Sequence, residues 1–143
     1  MKQYLAVVVV IMGILATSLS PVGQASAAVV QPPNYSYLCA PSRRWTLVKQ
    51  EWSGIGWLVA YRSGYSLCVI HYNLSGSRQT MLAGIIRGTS EYYDYGRYLS
   101  YAGPRTMYVP HGSCATILGI YYYAFDRYGY PIAGVRTSFS VCN

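Results

Sequence analysis

Glycine and proline interrupt this sequence at short, regular intervals, and between the breaks no segment repeats its apolar residues at the helical period of about 3.6. What remains are short extended runs. Gly134 to Cys142 shows it best: Val135, Thr137, Phe139 and Val141 share one face, with Arg136, Ser138 and Ser140 on the other. Tyr65 to Tyr72 divides the same way, with Leu67, Val69 and His71 opposite Cys68, Ile70 and Tyr72. Arg44–Glu51, Gly56–Arg62, Thr80–Arg87, Tyr98–Tyr101, Thr106–Val109 and Cys114–Phe125 complete the strand candidates. Trp45, Leu47 and Lys49 share a side of the first of these, and Gly84 is a candidate bulge. Ala102, Gly103 and Pro104 read as a turn motif, and Gly88–Gly96 as a polar, tyrosine-laden connection. The expectation is an all-β, antiparallel sandwich or barrel of about seven or eight strands.

The amino terminus decides how such a domain is held together. Met1-Lys2-Gln3 is a short basic start, Leu5–Leu15 is apolar, and Ala25-Ser26-Ala27 is a small-x-small cleavage pattern. That is the layout of a secretory signal peptide, too short in its apolar core to be kept as an anchor. Residues 1–27 are expected to be removed, 28–38 to form a flexible leader around Pro32-Pro33, and 39–143 to fold as a single β domain. Secretion places the product in an oxidising space, where Cys39, Cys68, Cys114 and Cys142 would pair. Three pairings are possible. The near-equal intervals favour Cys39–Cys68 and Cys114–Cys142.

The chain is basic, with a formal charge of +7. Lys2 belongs to the expected signal peptide; beyond it Lys49 and nine arginines face only Glu51, Glu91, Asp94 and Asp126. The charges are scattered, and export argues against a nucleic-acid partner. Anionic cell-wall polymers, spore-surface material or lipid headgroups are the expected attraction, with plain solubility the simpler use of the same charge.

Catalytic signals are absent or weak. Glu91 and Asp94 form the one acidic pair close in sequence, and paired carboxylates serve glycosidases. They fall in the tyrosine-rich connection and read as solvated charge. His111 lies two before Ser113 with no acid nearby to orient it, and His71 sits at an apolar-face position. No nucleophile elbow, zinc helix motif or phosphate-binding glycine loop occurs. With the cysteines oxidised, no thiolate remains. The sequence therefore predicts a non-enzyme with no metal and no cofactor.

Tyrosine is the anomaly: seventeen residues, sixteen of them beyond the expected signal peptide. Tyr92, Tyr93, Tyr95, Tyr98 and Tyr101 form one cluster and the candidate binding platform. Tyr121, Tyr122, Tyr123, Tyr128 and Tyr130 form another. Exposed tyrosine offers stiff, amphipathic contact area suited to ligands or self-association. Tyrosine also favours strands and fills small cores with its hydroxyl at the rim, so the excess alone does not choose. Asn34-Tyr35-Ser36 and Asn73-Leu74-Ser75 match glycosylation acceptors.

The segment Tyr98–Cys114 (YLSYAGPRTMYVPHGSC) resembles the actinobacterial spore-associated protein A family. That family carries Tyr-Ala-Gly-Pro, a valine strand and Gly-x-Cys, matched here by Tyr101–Pro104, Tyr108-Val109, and Gly112 with Cys114. Ser36-Tyr37-Leu38-Cys39 and Cys68-Val69 are similar in layout to its earlier part. The chain departs from it at Ile117-Leu118-Gly119, where the family has Trp-Gly-Gly. The resemblance implies a small, secreted, β-rich surface protein and carries over no catalytic residue. Three roles follow as expectations. The first is a structural protein of the cell or spore surface. The second is a glycan- or ligand-binding module using the Tyr92–Tyr101 platform. The third is a secreted inhibitor acting through a Glu91–Arg97 loop.

Overall fold

In a computed structural model, the described residues are Asn34 and 36–143. The expected signal peptide and most of the expected leader lie outside them. Eight strands follow in order: β1 (Thr46–Trp52), β2 (Trp57–Ser63), β3 (Ser66–Tyr72), β4 (Gln79–Arg87), β5 (Ser90–Tyr98), β6 (Tyr101–Tyr108), β7 (Cys114–Phe125) and β8 (Pro131–Cys142). They form two antiparallel four-stranded sheets. The first runs β1-β2-β3-β6, the second β5-β4-β7-β8. The architecture is thus a sandwich and not a closed barrel.

Alternation builds the core between the sheets. Leu58, Ala60, Leu67, Val69, Ala102 and Met107 from the first sheet meet Met81, Ala83, Ile85, Ala115, Ile117, Phe139 and Val141 from the second. Each fully buried large side chain contributes roughly 1.5–3 kcal/mol through the apolar area it removes from water. Small residues face large ones across the gap. Gly119 is the extreme case: a Cβ there would lie 2.9 Å from Leu58 Cδ1 and 3.1 Å from His71 Nδ1.

A second cluster lies on the outer face of the first sheet, where Val59, Tyr61, Cys68, Ile70 and Tyr72 are buried. The segment before β1 covers them. Ser36–Leu38 forms a short 3-10 turn rather than part of a loose leader, and Leu38, Cys39, Ala40 and Trp45 pack onto the sheet. The Trp45 indole N–H donates to the Ala40 carbonyl at 3.2 Å. Cys39–Cys68 ties this flap down, and Cys114–Cys142 joins directly opposed residues of β7 and β8, as the intervals predicted.

Four local expectations give way to tertiary pairing. Gly88–Gly96 is no connection: Ser90–Tyr98 is strand β5, paired residue for residue with β4. Ala102-Gly103-Pro104 is no turn: it lies inside β6, at an irregularity opposite Val69 and His71, and the two short strands expected around it are one. Gly84 is no bulge, since β4 keeps unbroken register with both neighbours. Alternation in β1 breaks between Leu47 and Lys49, which puts Leu47 outside the core.

Candidate functional site on the outer face of the second sheet

Among the described residues, none folds over the second sheet as the flap folds over the first. Register from the buried positions assigns its outward residues: Glu91, Tyr93, Tyr95 and Arg97 on β5; Thr80, Leu82, Gly84 and Ile86 on β4; Thr116, Leu118, Ile120 and Tyr122 on β7; Gly134, Arg136, Ser138 and Ser140 on β8. The middle of this face is apolar, and β5 and β8 flank it with charge and hydroxyls.

Tyr93 organises the centre. A Cβ on Gly84 would fall 2.4 Å from Tyr93 Cδ1, so the absence of a side chain lets the ring lie across β4. Leu118, on the next strand of the same rung, is only 6% exposed although it faces away from the core. The Tyr93 hydroxyl donates to Glu91 Oε2 at 2.8 Å. Desolvation, then the Glu91 hydrogen bond and charge, raise its pKa against the pull of Arg136.

Tyr95 and Tyr122 meet across β4, their ring centroids 5.7 Å apart and their planes 80° to each other. Burial, and then Tyr95, push the Tyr122 hydroxyl above the ordinary tyrosine value, so at neutral pH it remains a neutral donor. Beside this pair opens a groove of about 520 Å³. The start of β4, the end of β5 and the far part of β7 line it, together with Gly129 of the β7–β8 turn. Arg78 and Arg97 are its charged lining, and none of the four carboxylates belongs to it. Beyond it the hairpin tip is rigidly capped: Asp126 Oδ1 accepts from the backbone N–H of Tyr128 and Tyr130, at 2.9 and 2.8 Å. The rings of Tyr128 and Tyr130 project outward at 70% and 68% exposure.

The five tyrosines expected to share a platform do not. Tyr93 and Tyr95 lie on the outer face, whereas Tyr92 and Tyr98 take the opposite side of β5. Tyr98 packs on the inter-sheet core and engages Asp94. Tyr101 belongs to the first sheet, under the flap and 6.5 Å from Tyr72. The physical reason is the two-residue period of a strand, which parts neighbours in sequence. Sequence reading placed Tyr122 in a separate cluster and did not find Arg78. The β-propensity of its four tyrosines was the available signal that Ser90–Tyr98 is a strand.

The turn-motif residues are structural. Ala102 is fully buried in the inter-sheet core. Gly103 has φ +95°, and a Cβ there would lie 2.7 Å from the Val69 carbonyl oxygen. Its N–H donates to Asp94 Oδ2 at 2.6 Å, and Arg105 donates to Asp94 Oδ1 at 3.1 Å and to the Tyr93 carbonyl at 2.9 Å. Asp94 thereby ties the edge of one sheet to the edge of the other.

The catalytic candidates are not assembled into a site. Glu91 and Asp94 project from opposite faces of β5. His71 and Ser53 form a close pair, Nε2 to Oγ 2.7 Å, but both are fully buried. The Leu82 carbonyl can only accept, so Nδ1 carries the proton and donates to it at 3.0 Å, while Nε2 accepts from Ser53. Burial lowers the His71 pKa to about 4. This histidine is a neutral pin between the sheets. Asn73 is likewise spent internally: Nδ2 donates to Ser77 O (2.6 Å) and Tyr98 O (3.0 Å), leaving no amide hydrogen for a glycan. His111 and Ser113 occupy the turn after β6 instead of a strand. Among the described residues no group of three metal-ligating side chains occurs, and no helix is long and apolar enough to cross a membrane. The Glu91–Arg97 loop required for an inhibitor is a paired strand, so that reading loses its structural premise.

The structure thus defines a class: an antiparallel β-sandwich with two disulfides, whose second sheet carries an aromatic and cationic outer face that no described residue covers. No family model matches this chain, no curated protein matches it significantly, and neither does any solved structure.

Proposed function

We propose that this is an exported, non-enzymatic protein of the cell or spore surface, as its resemblance to the spore-associated family implies. It is held there by anionic wall or sheath material. The observation that carries this reading is the outer face of the second sheet, bare among the described residues, where Tyr93, Tyr95 and Tyr122 share the surface with Arg97 and Arg136. A face of this kind combines stiff aromatic contact area with charge attraction to polyanions. Two disulfides suit persistence outside the cytoplasm. The sealed Ser53–His71 pair and the divided Glu91 and Asp94 fit a role without chemistry. Fractionation of the producing culture tests it. The protein is expected with cells or spores at low ionic strength and in the wash at high salt. Recovery entirely from the medium at low salt sinks the reading. A second role, glycan binding, is favoured by the groove beside Tyr95 and Tyr122.

A further inference from the structure

We propose that this groove is a subsite for a short saccharide bearing an anionic group, its ring stacked in the Tyr95–Tyr122 corner and its anion at Arg97 and Arg78. The proposal rests on the surface-association reading and narrows it to one pocket. The near-perpendicular rings offer a floor and a wall, which suits a puckered sugar ring better than a flat one. A pyranose presents a face of C–H groups, weakly positive, to the electron-rich face of an aromatic ring. The lining mixes rings with guanidinium groups, the Thr80 hydroxyl and the Gln79 amide, where a lipid chain would require unbroken apolar depth. Its volume of about 520 Å³ falls in the size class of small-ligand sites. Two arginines without a lining carboxylate select against cations and for a planar or tetrahedral anion.

Calorimetric titration of the secreted protein tests this. A galacturonate oligosaccharide supplies the carboxylate form, a glucosylated glycerol-phosphate oligomer the phosphate form, and a cello-oligosaccharide the neutral control. At least one acidic probe is expected to bind. Tyr122→Ala should weaken it about tenfold, while Tyr122→Phe, which keeps the ring, retains most of the affinity. Arg97→Gln should bring the acidic probe down to the level of the neutral one and flatten its salt dependence. Arg44→Gln, exposed in the segment before β1 and away from the groove, should change nothing. Should Tyr122→Ala misfold, Arg97→Gln at an exposed position still decides. Failure of every saccharide to bind overturns the proposal, as does unchanged binding by Tyr122→Ala and Arg97→Gln. Binding of a thymidine oligonucleotide or of anionic vesicles in place of the saccharides does so too. Retention on the producer's surface with indifferent groove variants would defeat the groove and leave the wider reading standing; saccharide binding without surface retention would do the reverse.

Discussion

The two sheets are alike in strand number and differ in what covers them. The first is buried on both faces along β2 and β3, because residues 36–45 fold over its outer side and Cys39–Cys68 pins them there. The second is buried on one face, and among the described residues its outer side is shielded by side chains of the sheet itself, such as the Tyr93 ring over Gly84. The first outer face is part of the framework; the second carries no covering segment among the described residues. The disulfides repeat the contrast. They span nearly equal separations, 29 and 28 residues, so a chain-entropy estimate gives both the same value, about 3–4 kcal/mol. Their native surroundings differ: one holds a segment with no strand partner, the other reinforces a ladder that β7 and β8 already make.

The largest expected effect follows from that difference. A Cys39→Ser/Cys68→Ser variant should lose the staple and uncover Trp57, Tyr61, Ile70 and Tyr72, whereas Cys114→Ser/Cys142→Ser should lose the staple alone. Urea unfolding should place the first below the second by at least about 2 kcal/mol, since releasing the flap re-exposes several buried side chains. Equal losses would mean that the flap stays docked without its bond.

Acid should act next, through the pin between the sheets. The folded-state pKa of His71, about 4, lies below the ordinary 6.5, so folding favours the neutral ring. Its contribution is complete above pH 6.5 and falls as the pH drops towards 4, by up to about 3 kcal/mol. Urea midpoints compared at pH 7 and pH 4.5 should show the slope, and His71→Leu should remove most of it. An unaltered slope in that variant would assign the acid sensitivity elsewhere.

Two glycines compare the faces of the second sheet at close range. Gly119→Ala pushes a methyl group between the sheets against Leu58 and His71, and about 2 kcal/mol of lost stability is expected. Gly84→Ala meets the Tyr93 ring, which can swing into solvent, so the loss should stay below about 1 kcal/mol. Thermal unfolding of both variants checks the order; a costlier Gly84→Ala would make the outer face part of the framework. The smallest effect belongs to Tyr95→Ser, at a half-exposed site. Stability should move by less than about 0.5 kcal/mol while binding to surface material falls.

Much of the framework was legible in the chain. Alternation in β8 assigned Phe139 and Val141 to the core correctly, though Val135 on the same side stays exposed, and in β3 it separated two faces that are both buried. Cysteine spacing anticipated both disulfides. β5 escaped notice because its inward and outward residues are equally polar and aromatic, so no hydrophobic alternation marks it; only its pairing with β4 makes it a strand. Ala102–Pro104 read as a turn because glycine and proline usually end strands, yet here Asp94, arriving from the other sheet, holds the irregular backbone within β6.

Local periodicity and punctuation thus determined six of the eight strands and the covalent links, since those depend on patterns that can be read along the chain. Which outer face would be covered, which tyrosines would meet, and where two arginines would border a groove were decided by strand order. Tyr95 and Tyr122 are distant in sequence and become neighbours only because β4 lies between β5 and β7.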